Sequence, residues 1–208
     1  MEFGLLFIAW KMLTGDMLKC VSMIAGVAFA TLLMSQQTAI YKGLAYSTGS
    51  PVRDFTGDAD LWVMDTAVAT PDDFKPMRSA TLDIVRGIDG VAWAAPLLRG
   101  GAAMRLPDGT QQRPSVVGID DATLRGGPSV MLAGSLDDLR QDDGIIIDRG
   151  QAETFFKFVD DAGVRRPLDV GDRVVLNQSS AVVVGVCKLS EALSASPVVF
   201  TTVSRFRT

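Results

Sequence analysis

Residues Cys20 to Tyr41 read CVSMIAGVAFATLLMSQQTAIY, a stretch without one charge, bracketed by Lys19 and Lys42. At about 1.5 Å of rise per residue, a helix over this stretch crosses a hydrocarbon core of roughly 30 Å. From Met23 to Met34 only Thr31 carries a polar side chain, and a helical Thr hydroxyl can bond back to the helix's own carbonyls. The stretch predicts a transmembrane helix, so the rest of the chain is expected as a domain held at one membrane face. Two other readings compete. One is a buried core helix. The other is a cleaved signal peptide, for which Ala28-Phe29-Ala30 loosely fits a small-x-small site, but the apolar Leu32-Leu33-Met34 follows in place of a polar mature start.

Working outward, residues 1–18 have the pattern of an amphipathic helix. Phe3, Leu6, Phe7, Trp10, Leu13 and Met17 share one face opposite Lys11, Gly15 and Lys19, with Leu5, Ile8 and Met12 blurring the polar side. A helix lying along the membrane surface is expected there; Lys11 and Asp16 leave the apolar run too short for a second span. Trp10 and Tyr41 suit the two membrane interfaces, with Lys19 and Lys42 as charged anchors. The positive charges on the two sides balance, so they do not orient the span. Ser22, Gly26 and Ala30 recur every four residues along one stripe, where small side chains would let another helix approach closely.

The expected organisation is a surface helix over 1–18, a membrane helix over 19–46 and a folded α+β domain over 47–208. Ser47-Thr-Gly-Ser-Pro51 reads as the linker that ends the long helix. Leu61 to Met64 reads as a strand, Met77 to Val85 as an amphipathic helix stopped by Gly87, and Val91 to Leu98 as a second strand. Together they would form a β-α-β unit. Ala103–Leu106 and Ser115–Ile119 read as a hairpin around Pro107-Asp108-Gly109-Thr110. Further strands are expected at Ile145–Ile147, in the run from Leu168 to Leu176 after a turn at Gly171-Asp172, at Ala181–Val186 beyond a four-residue loop, and at Pro197–Phe200. A short helix is marked by Ala152, Phe155, Phe156 and Val159.

Composition narrows the chemistry. The chain of 208 residues has a net charge of -4 and no histidine. A nucleic-acid partner is not suggested, and the commonest general base and transition-metal ligand are missing. Cys20 and Cys187 lie in different parts of the chain and make a poor disulfide pair. Acidic pairs at Asp72-Asp73, Asp120-Asp121, Asp137-Asp138, Asp142-Asp143 and Asp160-Asp161 lack the alternating spacing of a calcium loop and read as solvated loops and helix starts. Gly100-Gly101 and Gly126-Gly127 lack the context of a phosphate-binding loop. No catalytic, cofactor or metal site is expected.

The ordered set of Ala25-Gly-Val-Ala-Phe29 with Leu32-Leu-Met34, Asp58-Ala-Asp-Leu-Trp-Val-Met64, Gly90 to Leu98, Gly144-Ile-Ile-Ile-Asp-Arg149, Asp169-Val-Gly-Asp-Arg-Val174 and Pro197-Val-Val-Phe200 carries a resemblance. The chain resembles permease subunits of ABC transporters of the MacB/FtsX/LolC type, nearest the DevC-like branch. The resemblance implies an inner-membrane permease with its N-terminus in the cytoplasm and a periplasmic core domain. It implies an ABC ATPase subunit that hydrolyses ATP, a second permease copy, a HlyD-like periplasmic adaptor, and lipid or peptide cargo. It also implies further spans beyond Thr208, so the sequence is expected to be the N-terminal portion of a longer permease. The alternative is a single-pass anchored periplasmic interaction module without transport activity.

Overall fold

The computed structural model describes the chain apart from residues 1–3, 5–6, 9, 13–14, 57–58, 69–74, 161, 190–195 and 208. The readings that fell on Phe3, Leu5, Leu6, Leu13, Asp58, Asp72, Asp73, Asp161 and Thr208 lie outside the described residues. Contacts divide the chain into two compact units, Met1–Tyr46 and Ser47–Thr208.

In the first unit the backbone breaks at Gly15-Asp16, and α1 (Met17–Thr56) starts there and ends within the second unit's residues. Its part over Met17–Ala45 is long and apolar enough to cross a membrane, and none of its apolar window is buried. The Thr31 hydroxyl donates to the Ala28 carbonyl at 2.9 Å and that of Thr38 to the Met34 carbonyl at 2.9 Å, so these polar side chains are satisfied within the helix. The expected linker at Ser47–Pro51 is not a break: α1 runs through it to Thr56. Serine and glycine weaken a helix by about 1 kcal/mol or less each and proline by about 3 kcal/mol, but extending an existing helix avoids the cost of nucleation.

The second unit opens with an expectation the structure corrects. Leu61–Met64 is not a strand: Leu61, Val63 and Met64 are exposed, and only Trp62 packs inward. The helix forms, shorter than expected, as α2 (Ala80–Arg86), with the Gly87 amide closing its last turn. The second strand does not begin until β1 (Leu98–Gly101), so there is no β-α-β unit. An apolar run becomes a strand only where a neighbour offers a ladder. Here β4 (Ser115–Ile119) is paired on one side by β1, antiparallel, and on the other by β11, parallel.

Between β1 and β4 lies a tight hairpin of β2 (Met104–Arg105) and β3 (Gln111–Gln112). Its turn is the one expected, with Gly109 at φ 87° and the Asp108 carboxylate accepting from the Thr110 amide at 2.9 Å. Its second arm is β3, however, not Ser115–Ile119. Then follow β5 (Met131–Ala133), a 3-10 turn at Leu136–Arg140, β6 (Gly144–Asp148), α3 (Arg149–Phe155), β7 (Lys157–Val159), β8 (Arg165–Pro167), β9 (Arg173–Leu176), β10 (Ser179–Cys187), β11 (Val198–Thr202) and α4 (Val203–Phe206). Val159, expected in the short helix, lies in β7. The expected four-residue loop before Ala181 is a two-residue turn. Leu176 pairs with Ser179, and Asn177 and Gln178 take φ 46° and 73°, the left-handed pair that matches strand twist.

The strands form a mixed sheet in the order β1-β4-β11-β6-β10-β9-β2-β3, with β5 also on β10; β7 and β8 make a separate ribbon. Alternation sends Ile145 and Ile147 to one face and Ile146 to the other, and all three are fully buried. That explains the unbroken apolar run at β6: both faces of the central strands are covered. One face packs with Phe156, Phe158 and Leu168; the other packs with Leu124, Leu139 and Phe200.

The motifs that carried the resemblance have structural roles here. Asp148 is buried; it accepts from the Gln151 amide at 2.9 Å, capping α3, and from the Leu189 amide at 2.8 Å. Gln151 in turn accepts from the Val198 amide at 2.6 Å, so one corner holds the end of β10 and the start of β11. In the second motif, Asp172 takes both arms of the Arg166 guanidinium at 2.7 Å and the Asp169 amide at 2.8 Å, while Arg166 lies over the Phe158 ring at 4.5 Å. Burial pushes the Asp172 carboxyl up, but the bonds from Arg166 and Asp169 with the guanidinium charge outweigh it and hold its pKa below the ordinary value. A lowered native pKa stabilises the fold above the unfolded carboxyl's value of about 3.9 and loses that contribution as pH falls through the native value. Acid unfolding of the full chain should therefore steepen below about pH 4. Asp172→Asn, weaker at neutral pH, should lack that component; an unchanged acid limb in the variant would refute it.

Candidate functional site

The side chains that converge most densely lie where the last element meets the sheet. Strands are poor hosts for glycine, yet β1 and β4 carry Gly100 and Gly118 on one face, diagonal to each other in the ladder. A Cβ at Gly100 would come within 3.0 Å of the Phe206 ring, and one at Gly118 within 2.9 Å of Phe206 Cβ. The two glycines make the slot that seats α4.

Polar contacts lock the same element. The Arg205 side chain, 11% exposed, donates to the Asp142 carbonyl at 2.6 Å, to Asp143 Oδ1 at 2.7 Å and to the Ser180 carbonyl. The Ser204 amide donates to the Asp121 carboxylate at 3.2 Å. Arg140 then donates to the carbonyls of Asp121 at 2.6 Å and Ala122 at 2.9 Å, fixing the loop that carries this acceptor. Beside the clamp is a cleft of about 760 Å³, with Ala102, Val116 and Leu176 among its apolar lining and Asp142, Asn177 and Ser179 among its polar lining. Such an arrangement fixes α4 rigidly to the sheet through one ring and one guanidinium.

Several members of the acidic pairs serve as capping and pairing groups. Asp120 accepts from the Thr123 amide and hydroxyl, and Asp138 with Ser135 forms a reciprocal helix cap. Asp137 pairs with Arg140 at 3.5 Å, and Asp160 accepts from the Ala162 and Val164 amides. Among the described residues no three His, Cys, Asp or Glu side chains are grouped to hold a metal ion. Cys20 and Cys187 are both thiols.

The residues singled out in the first unit lie along α1 or just before it. Ser22, Gly26 and Ala30 fall on one stripe of the exposed helix; the Ser22 hydroxyl donates to the Lys19 carbonyl at 3.0 Å, and a Cβ at Gly26 would meet nothing within 4 Å. Trp10, Tyr41 and Lys42 are exposed, and Lys19 pairs with Asp16 at 3.1 Å. Sequence reasoning did not find the clamp. Its available signal was glycine inside the strand pattern Ser115–Ile119, which marks a close approach.

The profile of the MacB-like periplasmic core domain family matches residues 20–208. The chain belongs to that family. It carries an apolar helix long enough to cross a membrane and the core domain found in permeases of the MacB/FtsX type. No curated protein sequence matches it. Among solved structures, it is similar to the extracellular domain of the noncanonical ABC-type transporter YknZ from Gram-positive bacteria, at 15% identity and a TM-score of 0.45, over 63% of this chain and 65% of that one. It is also similar to the periplasmic region of MacB from Actinobacillus actinomycetemcomitans, at 12% identity and TM-score 0.43, over 64% of this chain and 57% of that one. A domain of a putative permease from Porphyromonas gingivalis gives 21% identity and TM-score 0.42, over 58% of this chain and 50% of that one. The chain thus spans less than two thirds of the length of each.

Proposed function

We propose that this chain serves an ATP-driven exporter of the inner membrane, as the permease portion that anchors in the bilayer and carries movement to an adaptor or to lipid or peptide cargo in the periplasm. The family match over residues 20–208 is the observation that supports this reading. ATP hydrolysis is assigned to a separate ABC ATPase, working with two permease copies and a HlyD-like adaptor. The clamp suits such a role: an element held by Phe206 and Arg205 passes a pull to the sheet without slack. Purification of the native gene product from membranes in mild detergent should bring an ABC ATPase with it. Repeated recovery without one contradicts the reading.

Within the bilayer, the proposal places Ser22, Gly26 and Ala30 against another helix, with Trp10, Lys19, Tyr41 and Lys42 at the interfaces. Because a side chain at Gly26 meets nothing in the single chain, Gly26→Ile costs nothing sterically unless a partner helix is there. Cross-linking in detergent should show weakened assembly with membrane insertion intact; unchanged assembly refutes the contact.

A further inference from the structure

The layer that covers the second face of the sheet stops at β10. Beyond it, β9, β2 and β3 turn buried side chains (Met104, Val174, Leu176) to one side and leave the other side open. Register fixes what that open side carries. Arg105 lies directly across from Val175 on β9 and from Gln111 on β3. Arg173 is two residues before Val175 and so on the same side. Arg113 is two residues after Gln111, where the Ala102 amide still bonds the Pro114 carbonyl at 3.1 Å and keeps the ladder in step. Alternation therefore sets Arg113, Arg105 and Arg173 on a diagonal, neighbours at about 7–8 Å between Cα atoms. All three are exposed, and among the described residues none of their side chains makes an ion pair or hydrogen bond. The remaining arginines named above are tied down: Arg140 and Arg205 in the clamp, Arg149 to Asp169 and Arg166 to Asp172.

In a chain of net charge -4, a concentration of unpaired cations on one flat face is a complement to anions. The guanidinium fork matches carboxylates in pairs. Val175, 39% exposed, lies in direct register with Arg105, which gives the face an apolar centre with an arginine rim, the composition of a protein interface. It bears no large aromatic side chain of the kind that enters a headgroup layer. We propose that the open face of β3-β2-β9 docks an acidic protein surface outside the cytoplasm through Arg113, Arg105 and Arg173 around Val175. The proposal rests on the exporter reading only for the compartment in which the partner is found.

The test places the photo-cross-linking residue p-benzoylphenylalanine at Val175 of the full gene product in native membranes. The expected result is a discrete protein adduct whose cross-linked peptide carries Asp or Glu. Its yield should fall about tenfold in R105E/R173E and recover when those partner carboxylates are changed to Lys. R105Q/R173Q, which removes the charge without reversing it, should also lower the yield while unfolding at the wild-type temperature. Lipid adducts alone, no adduct, or a protein adduct indifferent to both charge variants would each overturn the docking face and leave the exporter reading as it stands. A charge-dependent adduct with a cytoplasmic protein would support the face and overturn the sidedness of that reading.

Discussion

Gly118→Val is expected to unseat α4 and to cost the domain about 2–3 kcal/mol, the range of overpacking in a tightly packed site. The Cβ alone would lie 2.9 Å from Phe206 Cβ and 3.4 Å from Leu98 Cβ on the paired strand, so the added side chain is crowded from two sides. Phe206→Ala in the same chain should recover part of the loss, because it keeps Cβ but removes the ring, whose Cγ would lie 3.2 Å from the added carbon, and so frees the element to shift. The double-mutant coupling, read from urea unfolding followed by tryptophan fluorescence in detergent, should be about 1 kcal/mol or more. Hydrogen exchange at Ser204 to Phe206 should rise in the single variant. Additive effects would show that the glycine slot does not hold α4.

The second large effect is expected at Asp148. Replacing it by Ala strands the Gln151 and Leu189 amides in a buried corner and removes the cap of α3, at a cost of about 3 kcal/mol. Asp148→Asn keeps a carbonyl oxygen for one of the two amides and should lose roughly half as much. A shift in urea midpoint for Ala no larger than that of an exposed substitution would contradict the corner's role in holding β10 and β11 together.

How far the sequence went is visible in particular residues. The long apolar helix was legible because hydropathy over 22 consecutive positions, Cys20 to Tyr41, is a local property. So were Gly109 in its turn and the buried run Ile145–Ile147, since a positive φ and two-sided burial leave local marks. The β-α-β unit was misread because Leu61–Met64 and Val91–Leu97 have the composition of strands, whereas strand formation depends on a partner far along the chain. The helix end at Pro51 was misread for the opposite reason: a local breaker was overridden by an established helix. Of the clamp only Gly118 left a local mark, because Gly100, Gly118, Asp143 and Arg205 are brought to one end of the sheet only through β1-β4-β11-β6 pairing. The arginine face was hidden in the same way, with Arg105, Arg113 and Arg173 brought side by side by β2, β3 and β9.

Everything functional in this account requires that the folded unit lie outside the cytoplasm on a chain anchored by α1. In the full gene product with Cys20→Ser, a cysteine placed at the exposed Val164 should react with a membrane-impermeant maleimide in intact right-side-out vesicles, and the protein should remain in the membrane after carbonate washing. Labelling that appears only after the vesicles are opened, or release of the protein by carbonate, would contradict it.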